Sequence, residues 1–209
     1  MTEPAYYFVT DIELDGPSIF ENSMLSFATV VVRDDGEICG EFEGVLETIP
    51  GHTQETGTME WWKTQPEAWE AARLNPEEPK LVMGRFADWV ETFDGVRSFA
   101  SKPLLLDGPW VDCYLNKYAS TRIFGGPFPG RQIFHTLGLD IPSYVHGVLN
   151  HSKPMSQHMP IPQDWLGEHV HTHRAIDDAR GYANLLVKMM ATAGSEPILD
   201  ISPFKGEHR

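Results

Sequence analysis

Three β-prone segments open the chain. An apolar run at residues 6–10 ends at Asp11, and further apolar and β-branched runs follow at residues 24–33 and 38–47. The turn-forming sequence Asp-Asp-Gly-Glu at 34–37 joins the second run to the third. Because short turns of this kind connect antiparallel strands, the pattern predicts three antiparallel neighbours in one sheet.

Beyond the three strands, the apolar residues are mostly spaced as in an α-helix. Residues 58–73 place tryptophans and alanines at helical intervals, with Thr58 as the predicted N-cap, and residues 80–93 and 175–190 predict two more amphipathic helices. A further strand is predicted at 96–100. Strands first, then helices and strands in alternation, indicate an α/β fold with a mixed β-sheet flanked by helices.

The chain length favours one domain. Its 209 residues suffice to bury a single core, which we expect at about 6–190, with an extended C-terminal tail at 191–209. Residues 140–170 are rich in Pro, His and Gly and have weak periodicity. They predict a long excursion, which is either a functional flap or a loosely ordered loop.

Composition and charge limit the classes of binding partner that the protein is expected to have. The formal net charge is -14, which disfavours non-specific binding to a polyanion unless bound cations reverse the local field. No apolar run approaches the roughly 18 residues of a membrane helix, so no membrane partner is expected. The two cysteines, Cys39 and Cys113, form no CxxC pair, which predicts reduced thiols and a cytoplasmic protein.

Asp11 and Glu13 are the first candidates for chemistry. Two positions apart on a strand, their side chains project from the same face. Adjacent carboxylates repel each other unless a cation lies between them, which points to a divalent metal. The alternative is an exposed strand end with two solvated acids.

Asp107 is the second candidate, because it ends an apolar segment. Pro109 occupies the position of a first helical turn, so the pattern predicts a helix start just after Asp107. This carboxylate could point into a cleft, cap the helix, or do both.

The segment His-Arg-Ala-Ile-Asp-Asp-Ala contains the last pair, His173 and Asp178. Five positions separate them, which is about 140° around a helix, so they share a site only if His173 precedes the helix. Asp178 begins the apolar stripe of the 175–190 helix, so a carboxylate facing the core there needs a partner such as a metal. The alternative for His173 is a surface histidine at a helix start.

Together these segments resemble the DEDDh group of 3′–5′ exonucleases, which includes ribonuclease T, oligoribonuclease and polymerase proofreading subunits. Its D-x-E motif matches Asp11 and Glu13, and its second aspartate, followed by bulky apolar residues, matches Asp107. Its H-x-A-x-x-D-A motif matches His173 and Asp178. The three motifs occur in the order typical of the group, which makes the resemblance specific.

The resemblance implies a ribonuclease H-like fold and a single exonuclease domain. The implied activity removes nucleoside 5′-monophosphates from the 3′ end of single-stranded nucleic acid. Two Mg²⁺ or Mn²⁺ ions would be held by the four carboxylates, and His173 would be the general base. Leu14, Asp15 and Gly16 would contact the terminal nucleotide through main-chain and apolar groups. Homodimers are common among similar enzymes, and a homodimer is left open here.

The pair of adjacent tryptophans, Trp61 and Trp62, is similar to one in a bacterial branch of exoribonucleases. This resemblance favours RNA over DNA as the substrate. Either ring could stack on a base, or one or both could belong to the core. Two departures from the group's pattern affect a substrate contact after the first motif and the match of Asp107 to the second motif. Leu14 replaces the Thr or Ser that often follows the first motif, and residues 103–105 replace an Asn and small residues before Asp107.

Two other classes of function compete with an exonuclease. His169, His171 and His173 alternate, so on a strand they would share a face and could ligate the zinc of a zinc-dependent hydrolase, although no HExxH lies nearby. A catalytically inactive binding module, or a subunit of a nucleic-acid-processing complex, is the other alternative. The acidic charge keeps it open, whereas the complete set of four carboxylates and a histidine argues against it.

Overall fold

The structure is a computed structural model and describes residues 3–127, 129–150 and 161–193. The strands are β1 (Ala5–Leu14), β2 (Met24–Arg33), β3 (Ile38–Val45), β4 (Val96–Ser101), β5 (Thr121–Arg122), β6 (Arg131–Gln132) and β7 (Leu139–Asp140). The helices are α1 (Thr56–Trp62), α2 (Pro66–Ala71), α3 (Pro79–Val90), α4 (Leu104–Ala119), α5 (Ile141–Val148) and α6 (Ala175–Ala193), with one 3-10 turn at Gln163–Trp165.

A five-stranded mixed sheet organises these elements in the order β3-β2-β1-β4-β7. β1 pairs antiparallel with β2, and β2 pairs antiparallel with β3, so the predicted meander of the first three strands is confirmed. On its other edge β1 pairs parallel with β4, which in turn pairs parallel with β7. The sheet is therefore mixed, as the alternation of elements predicts.

The two faces of the sheet bury separate apolar layers. On one face Phe8 and Ile12 of β1 pack with the buried side chains of α3 and α4. On the opposite face Val9 packs with the buried side chains of α5 and α6. Because side chains alternate along a strand, the odd-numbered positions of β1 face α6, and Asp11 and Glu13 are among them.

The predicted helix at 58–73 is two short helices, α1 and α2. Pro66 has no N–H with which to bond to the carbonyl of Trp62, so the first helix ends and the proline begins the second. The prediction of Thr58 as N-cap is wrong. Glu55 caps α1, because its carboxylate accepts hydrogen bonds from the backbone N–H groups of Gly57 (2.8 Å) and Thr58 (2.6 Å).

Helix α4 begins at Leu104, five residues before Pro109, and the proline lies inside it. Pro109 removes only one hydrogen bond, to the carbonyl of Leu105, whose side chain is exposed near the helix start. The cap is Pro103, so Asp107 lies in the first turn of the helix and is not its N-cap.

The region 140–170 is more regular than its composition indicates. It contains the end of β7, helix α5 and the 3-10 turn, and Asp140 caps α5 by accepting a hydrogen bond from the N–H of Ser143 at 3.0 Å. Residues 151–160 of this region lie outside the described residues. Helix α6 continues to Ala193, three residues into the predicted tail, and residues 194–209 also lie outside the described residues.

In the part of the chain that the structure describes, none of the helices combines the length and the apolar character needed to cross a bilayer.

Candidate active site

Four carboxylates from three parts of the chain converge at one edge of the sheet. Strands β1 and β4 run parallel, with Thr10 paired to Ser101, so their carboxyl ends meet at that edge. Asp11 and Glu13 lie within β1, just after Thr10, and Asp107 lies in the first turn of α4, just beyond β4. The first turn of α6, which covers the same face, adds a fourth carboxylate, that of Asp178.

These carboxylates are buried close together. Asp11, Glu13, Asp107 and Asp178 are 9%, 8%, 2% and 3% exposed. Oxygens of Asp11, Glu13 and Asp178 lie within 4.8 Å of one another. Asp107 is near enough to contribute to the field at both Asp11 and Glu13.

Burial and mutual repulsion both favour the protonated acids in the metal-free protein. Burial raises the pKa of Asp11 well above its ordinary value, and the negative charges of Asp107, Glu13 and Asp178 raise it further. The pKa of Glu13 is raised in the same way, by burial and then by Asp178 and Asp107. Burial is also the largest cause at Asp107, whose pKa rises to about 8. The site therefore favours negative charge only if a cation compensates it.

One buried oxygen shows that the carboxylates fit a cation. Oδ2 of Asp107 has no hydrogen-bond partner among the described residues, although buried polar atoms in proteins are nearly always paired. A buried carboxylate oxygen without a donor, close to other carboxylates, suits a hard divalent cation such as Mg²⁺ or Mn²⁺, which prefers oxygen ligands. The residues present thus fit the metal that the sequence resemblance implies.

Asp178 is held in place by the segment that precedes α6. Its Oδ1 accepts a hydrogen bond from the N–H of Thr172 at 3.0 Å. Its Oδ2 lies 2.8 Å from Nδ1 of His171. The contact with His171 was not predicted, since only the structure shows that the chain folds back over the first turn of the helix.

His173 lies at the rim of the cluster, just before α6 begins. Its backbone is left-handed (φ 58), which turns the chain so that the histidine and Asp178 reach one site, as the spacing requires. Its half-buried ring meets the ring of Trp61 edge-on at 4.9 Å between centroids and that of His171 at 4.3 Å. Burial and the neighbouring His171 lower the pKa of His173, against the opposite effect of Asp178. A histidine in that setting is neutral at pH 7 and able to accept a proton.

The two adjacent tryptophans differ in burial: Trp62 belongs to the core and Trp61 lies at the surface. Trp62 is 1% exposed, packs with Leu25, Ala68 and Ala72, and donates a hydrogen bond from Nε1 to the carbonyl of Leu14 at 2.9 Å. Trp61 is 40% exposed beside His173. The prediction that either ring stacks on a base therefore narrows to Trp61, because the faces of Trp62 are covered by the core.

The residues after the first motif form a buried turn. Asp15 accepts a hydrogen bond from the N–H of Ser23 at 2.5 Å, so its carboxylate maintains the turn. Gly16 is required there because a Cβ would collide with the side chain of Asn22. The predicted contact with a nucleotide at 14–16 is thus restricted to the main chain and the side chain of Leu14.

Lys102 is a further residue of the site that the motifs did not reveal. It follows the last residue of β4, and its Nζ lies 4.6 Å from the ring centroid of Tyr182. Burial lowers the pKa of Lys102, whereas the nearby charges of Asp11, Asp107 and Asp178 raise it, so the ammonium lies close to the carboxylate cluster. This cation supplies part of the positive charge that the four acids need. A lysine before the second motif carries no signal that would have identified it.

The three alternating histidines do not form one site. His171 and His173 lie together with Asp178, with ligand atoms within 4.8 Å of one another. His169 lies beside Gly181 on α6, and its carbonyl accepts a hydrogen bond from Gln163 at 2.9 Å. The proposed trio of zinc ligands is therefore not assembled by the fold.

Comparisons with known proteins identify the fold and leave the sequence without a match. No family model matches the sequence, and neither does any curated protein. Among solved structures, the nuclease domain of 3′hExo, a DEDDh family member bound to rAMP, is similar over 89% of this chain and 92% of its own, with a TM-score of 0.60 and 12% identity. The chain adopts the fold of these exonucleases.

Two further structures extend this likeness. A 3′-exonuclease that recognises the 3′ end of the histone mRNA stem-loop is similar over 91% of this chain and 84% of its own, with a TM-score of 0.62 and 11% identity. Exonuclease I of E. coli, in complex with a dT13 oligonucleotide, is similar over 90% of this chain, with a TM-score of 0.60 and 13% identity. The chain spans 40–41% of the length of exonuclease I. At such identities the likeness establishes the fold alone, and it confirms the predicted ribonuclease H-like architecture.

Proposed function

We propose that this protein is a DEDDh exonuclease, which removes nucleoside 5′-monophosphates from the 3′ end of single-stranded nucleic acid, with RNA as the favoured substrate. One observation carries the proposal. Four buried carboxylates lie close together, one of their oxygens lacks a partner among the described residues, and an accessible neutral histidine lies beside them. Such a cluster is unfavourable without cations and suited to catalysis with them.

In this proposal Asp11, Glu13, Asp107 and Asp178 hold two divalent ions, Mg²⁺ or Mn²⁺. When bound, the ions supply positive charge at the scissile phosphate and favour ionisation of the attacking water. His173 accepts the proton of that water on an imidazole nitrogen, because its lowered pKa keeps it neutral. The ring contacts with His171 and Trp61 restrict the orientation of the base.

The substrate is placed by the surface around His173. The exposed face of Trp61 stacks on a base near the 3′ end, an interaction that tolerates any sequence and so suits an exonuclease. The structural neighbours include one complex with rAMP and one with a dT13 oligonucleotide, which supports a single-stranded substrate of either sugar. The preference for RNA rests on the resemblance of the tryptophan pair to a bacterial exoribonuclease branch.

The two competing functions are less well supported. A zinc hydrolase built on the three histidines lacks one of its ligands, since His169 lies elsewhere. An inactive binding module would have no need of Asp11, Glu13 and Asp107, three buried acids whose raised pKa values oppose folding without metal.

A time course on denaturing gels tests the activity. Single-stranded RNA and DNA oligomers labelled at the 5′ end are incubated with Mg²⁺, Mn²⁺ or EDTA. We expect a ladder that shortens from the 3′ end, requires the metal and forms faster on RNA.

Asp178→Asn and Asp177→Asn are the matched pair of variants for this assay. The two acids are adjacent on α6, but Asp177 accepts a hydrogen bond from Thr172 at 2.8 Å and ion-pairs with arginines outside the cluster. Only Asp178→Asn should abolish the ladder. Intact oligomers with the wild-type protein in every metal, or equal activity of the two variants, would refute the proposal.

A further inference from the structure

His171 is a second histidine at the carboxylate cluster, and none of the three motifs that match the exonuclease group includes it. Its Nδ1 lies 2.8 Å from Oδ2 of Asp178, and its ring centroid lies 4.3 Å from that of His173. One nitrogen from each histidine and one oxygen of Asp178 lie within 4.8 Å of one another. Two imidazoles and one carboxylate therefore converge beside the four-acid centre, with Asp178 common to both groups.

The ligand types of this group differ from those of the acidic centre. Mg²⁺ prefers oxygen ligands, whereas imidazole nitrogens with one carboxylate suit Zn²⁺ and similar transition metals. Zinc takes histidine and carboxylate ligands at about 2.0–2.2 Å in tetrahedral sites, so its ligand atoms lie about 3.3–3.5 Å apart. Nδ1 of His171 and Oδ2 of Asp178 are 2.8 Å apart, and the three ligand atoms all lie within 4.8 Å of one another, so a rotation of the exposed His171 side chain is the adjustment that a tetrahedral ion requires.

We propose that His171, His173 and Asp178 form a binding site for Zn²⁺ or a chemically similar transition metal, with water in the fourth position. The site is accessible, because the side chain of His171 is 47% exposed, whereas Asp178 is buried and fixed by the N–H of Thr172. A metal entering from solvent meets His171 first and replaces the contact that joins this histidine to Asp178. Asp178 is thus already held in place, and His171 is the exposed ligand that completes the site.

Binding there has a consequence that rests on the proposed function. Zinc on His173 removes the lone pair that accepts the proton of the attacking water, and zinc on Asp178 withdraws a ligand from the catalytic ions. Zn²⁺ would therefore oppose activation by Mg²⁺ or Mn²⁺, and the exonuclease would be inhibited by zinc through His171, which neither holds the catalytic ions nor accepts the proton of the water.

Titration with Co²⁺ tests the site without depending on activity. Co²⁺ replaces zinc and absorbs visible light strongly in a tetrahedral nitrogen and oxygen site, but only weakly in an octahedral all-oxygen site. We expect one strongly absorbing Co²⁺ per chain, displaced by one equivalent of Zn²⁺ and not by Mg²⁺. His171→Gln should weaken Co²⁺ and Zn²⁺ binding at least about tenfold.

His169→Gln is the matched control, since this histidine lies two residues earlier and outside the group. It should bind Co²⁺ as the wild type does. Equal binding by the two variants, or a weak octahedral spectrum in the wild type, would overturn the proposal. X-ray absorption at the zinc edge of the wild-type protein needs no variant and should show two imidazole ligands; an all-oxygen shell would also overturn it.

The nuclease assay then separates this inference from the proposed function. With Mn²⁺ present, added Zn²⁺ should inhibit the wild type and His169→Gln at concentrations at least about tenfold lower than those needed for His171→Gln, each measured against its own zinc-free rate. Equal zinc sensitivity of the two variants would refute the inhibitory role. A wild type inactive in every metal would refute the exonuclease proposal, while the Co²⁺ titration would still decide whether the zinc site exists.

Discussion

Replacing Asp107 with asparagine should stabilise the metal-free protein and at the same time destroy the activity. Asparagine has nearly the same shape as aspartate but carries no charge. Asp107 is 2% exposed, one of its oxygens has no hydrogen-bond partner among the described residues, and burial raises its pKa to about 8. The buried acid therefore lowers the free energy of unfolding of the metal-free protein, and a bound cation would offset this loss.

The size of this effect follows from the pKa of Asp107 and its linkage to folding. The carboxyl titrates near 3.9 in an unfolded chain, so at pH 7 it is ionised there and mostly protonated in the folded protein. About three pH units at about 1.4 kcal/mol per unit give an upper bound of about 4 kcal/mol opposing folding. The N–H groups of a buried asparagine amide would be unpaired, which destabilises the variant by roughly 1–3 kcal/mol and offsets part of the gain. The net gain for Asp107→Asn is about 1–3 kcal/mol, or roughly 3–10 °C in Tm for a chain of this size.

The pH dependence gives the sharpest check. Because the folded pKa is raised, the penalty is absent below about pH 4 and grows with pH up to about 8. Melting in EDTA, followed by circular dichroism, should show the advantage of Asp107→Asn falling by about 3 kcal/mol between pH 7 and pH 5. Mn²⁺ should raise the Tm of the wild type and have a much smaller effect on the variant.

Asp112→Asn is the control from the same helix. Asp112 ion-pairs with Arg122 and accepts a hydrogen bond from the N–H of Ile123 at 2.8 Å, so its loss should destabilise the protein slightly at every pH and leave activity intact. If Asp107→Asn were less stable than the wild type in EDTA at pH 7, or if its advantage did not change with pH, the reasoning about the buried charge would be wrong.

Four further substitutions test the roles of residues around the cluster. His173→Ala should lower kcat by roughly 10²–10⁴ while Mn²⁺ affinity, measured by calorimetry, stays nearly unchanged; equal losses of both would contradict its role as base. Trp61→Ala should raise KM for oligonucleotides about tenfold with little change in Tm, whereas Trp62→Ala should lower the unfolding free energy by about 3–5 kcal/mol; similar effects of the two would refute their separate roles. Lys102→Met should raise the pH at which Mn²⁺ binding reaches its midpoint, because the ammonium lowers the pKa values of Asp11 and Asp107; an unchanged pH midpoint in calorimetry would contradict that contact.

The long periodic elements could be predicted from the sequence because burial on one or both faces determines their pattern. The first three strands and helices α3 and α6 have enough residues for the apolar spacing to be unambiguous. Strand β7 has only two residues, too few to show any period, so the sequence predicts an irregular excursion after it.

Local backbone chemistry explains the other differences. Pro66 divides a helix whose apolar spacing is otherwise continuous, and the effect of one missing N–H is invisible in that spacing. Pro109, in contrast, lies near enough to the start of α4 to be tolerated inside it. The same residue type therefore has opposite outcomes, which depend on where the helix begins.

The candidate ligands could be named from the sequence because their motifs combine residue type with spacing. The contacts that tune them could not, since they join positions far apart in the chain. Trp61 meets His173 across more than a hundred residues, and Lys102 meets the ring of Tyr182 from a different element. Hydrophobic periodicity does not predict such long-range contacts. They depend on how the fold brings the ends of β1 and β4 and the start of α6 together at one edge of the sheet.

The chemistry of the released product tests the central claim most directly. A single-stranded RNA oligomer is digested with Mn²⁺ in water enriched in oxygen-18, and the products are identified by mass spectrometry. Hydrolysis at the four-carboxylate centre predicts nucleoside 5′-monophosphates with one oxygen-18 on each phosphate, released from the 3′ end, and none with Asp178→Asn. Nucleoside 3′-monophosphates, unlabelled phosphates, or the same products from the variant would contradict the account.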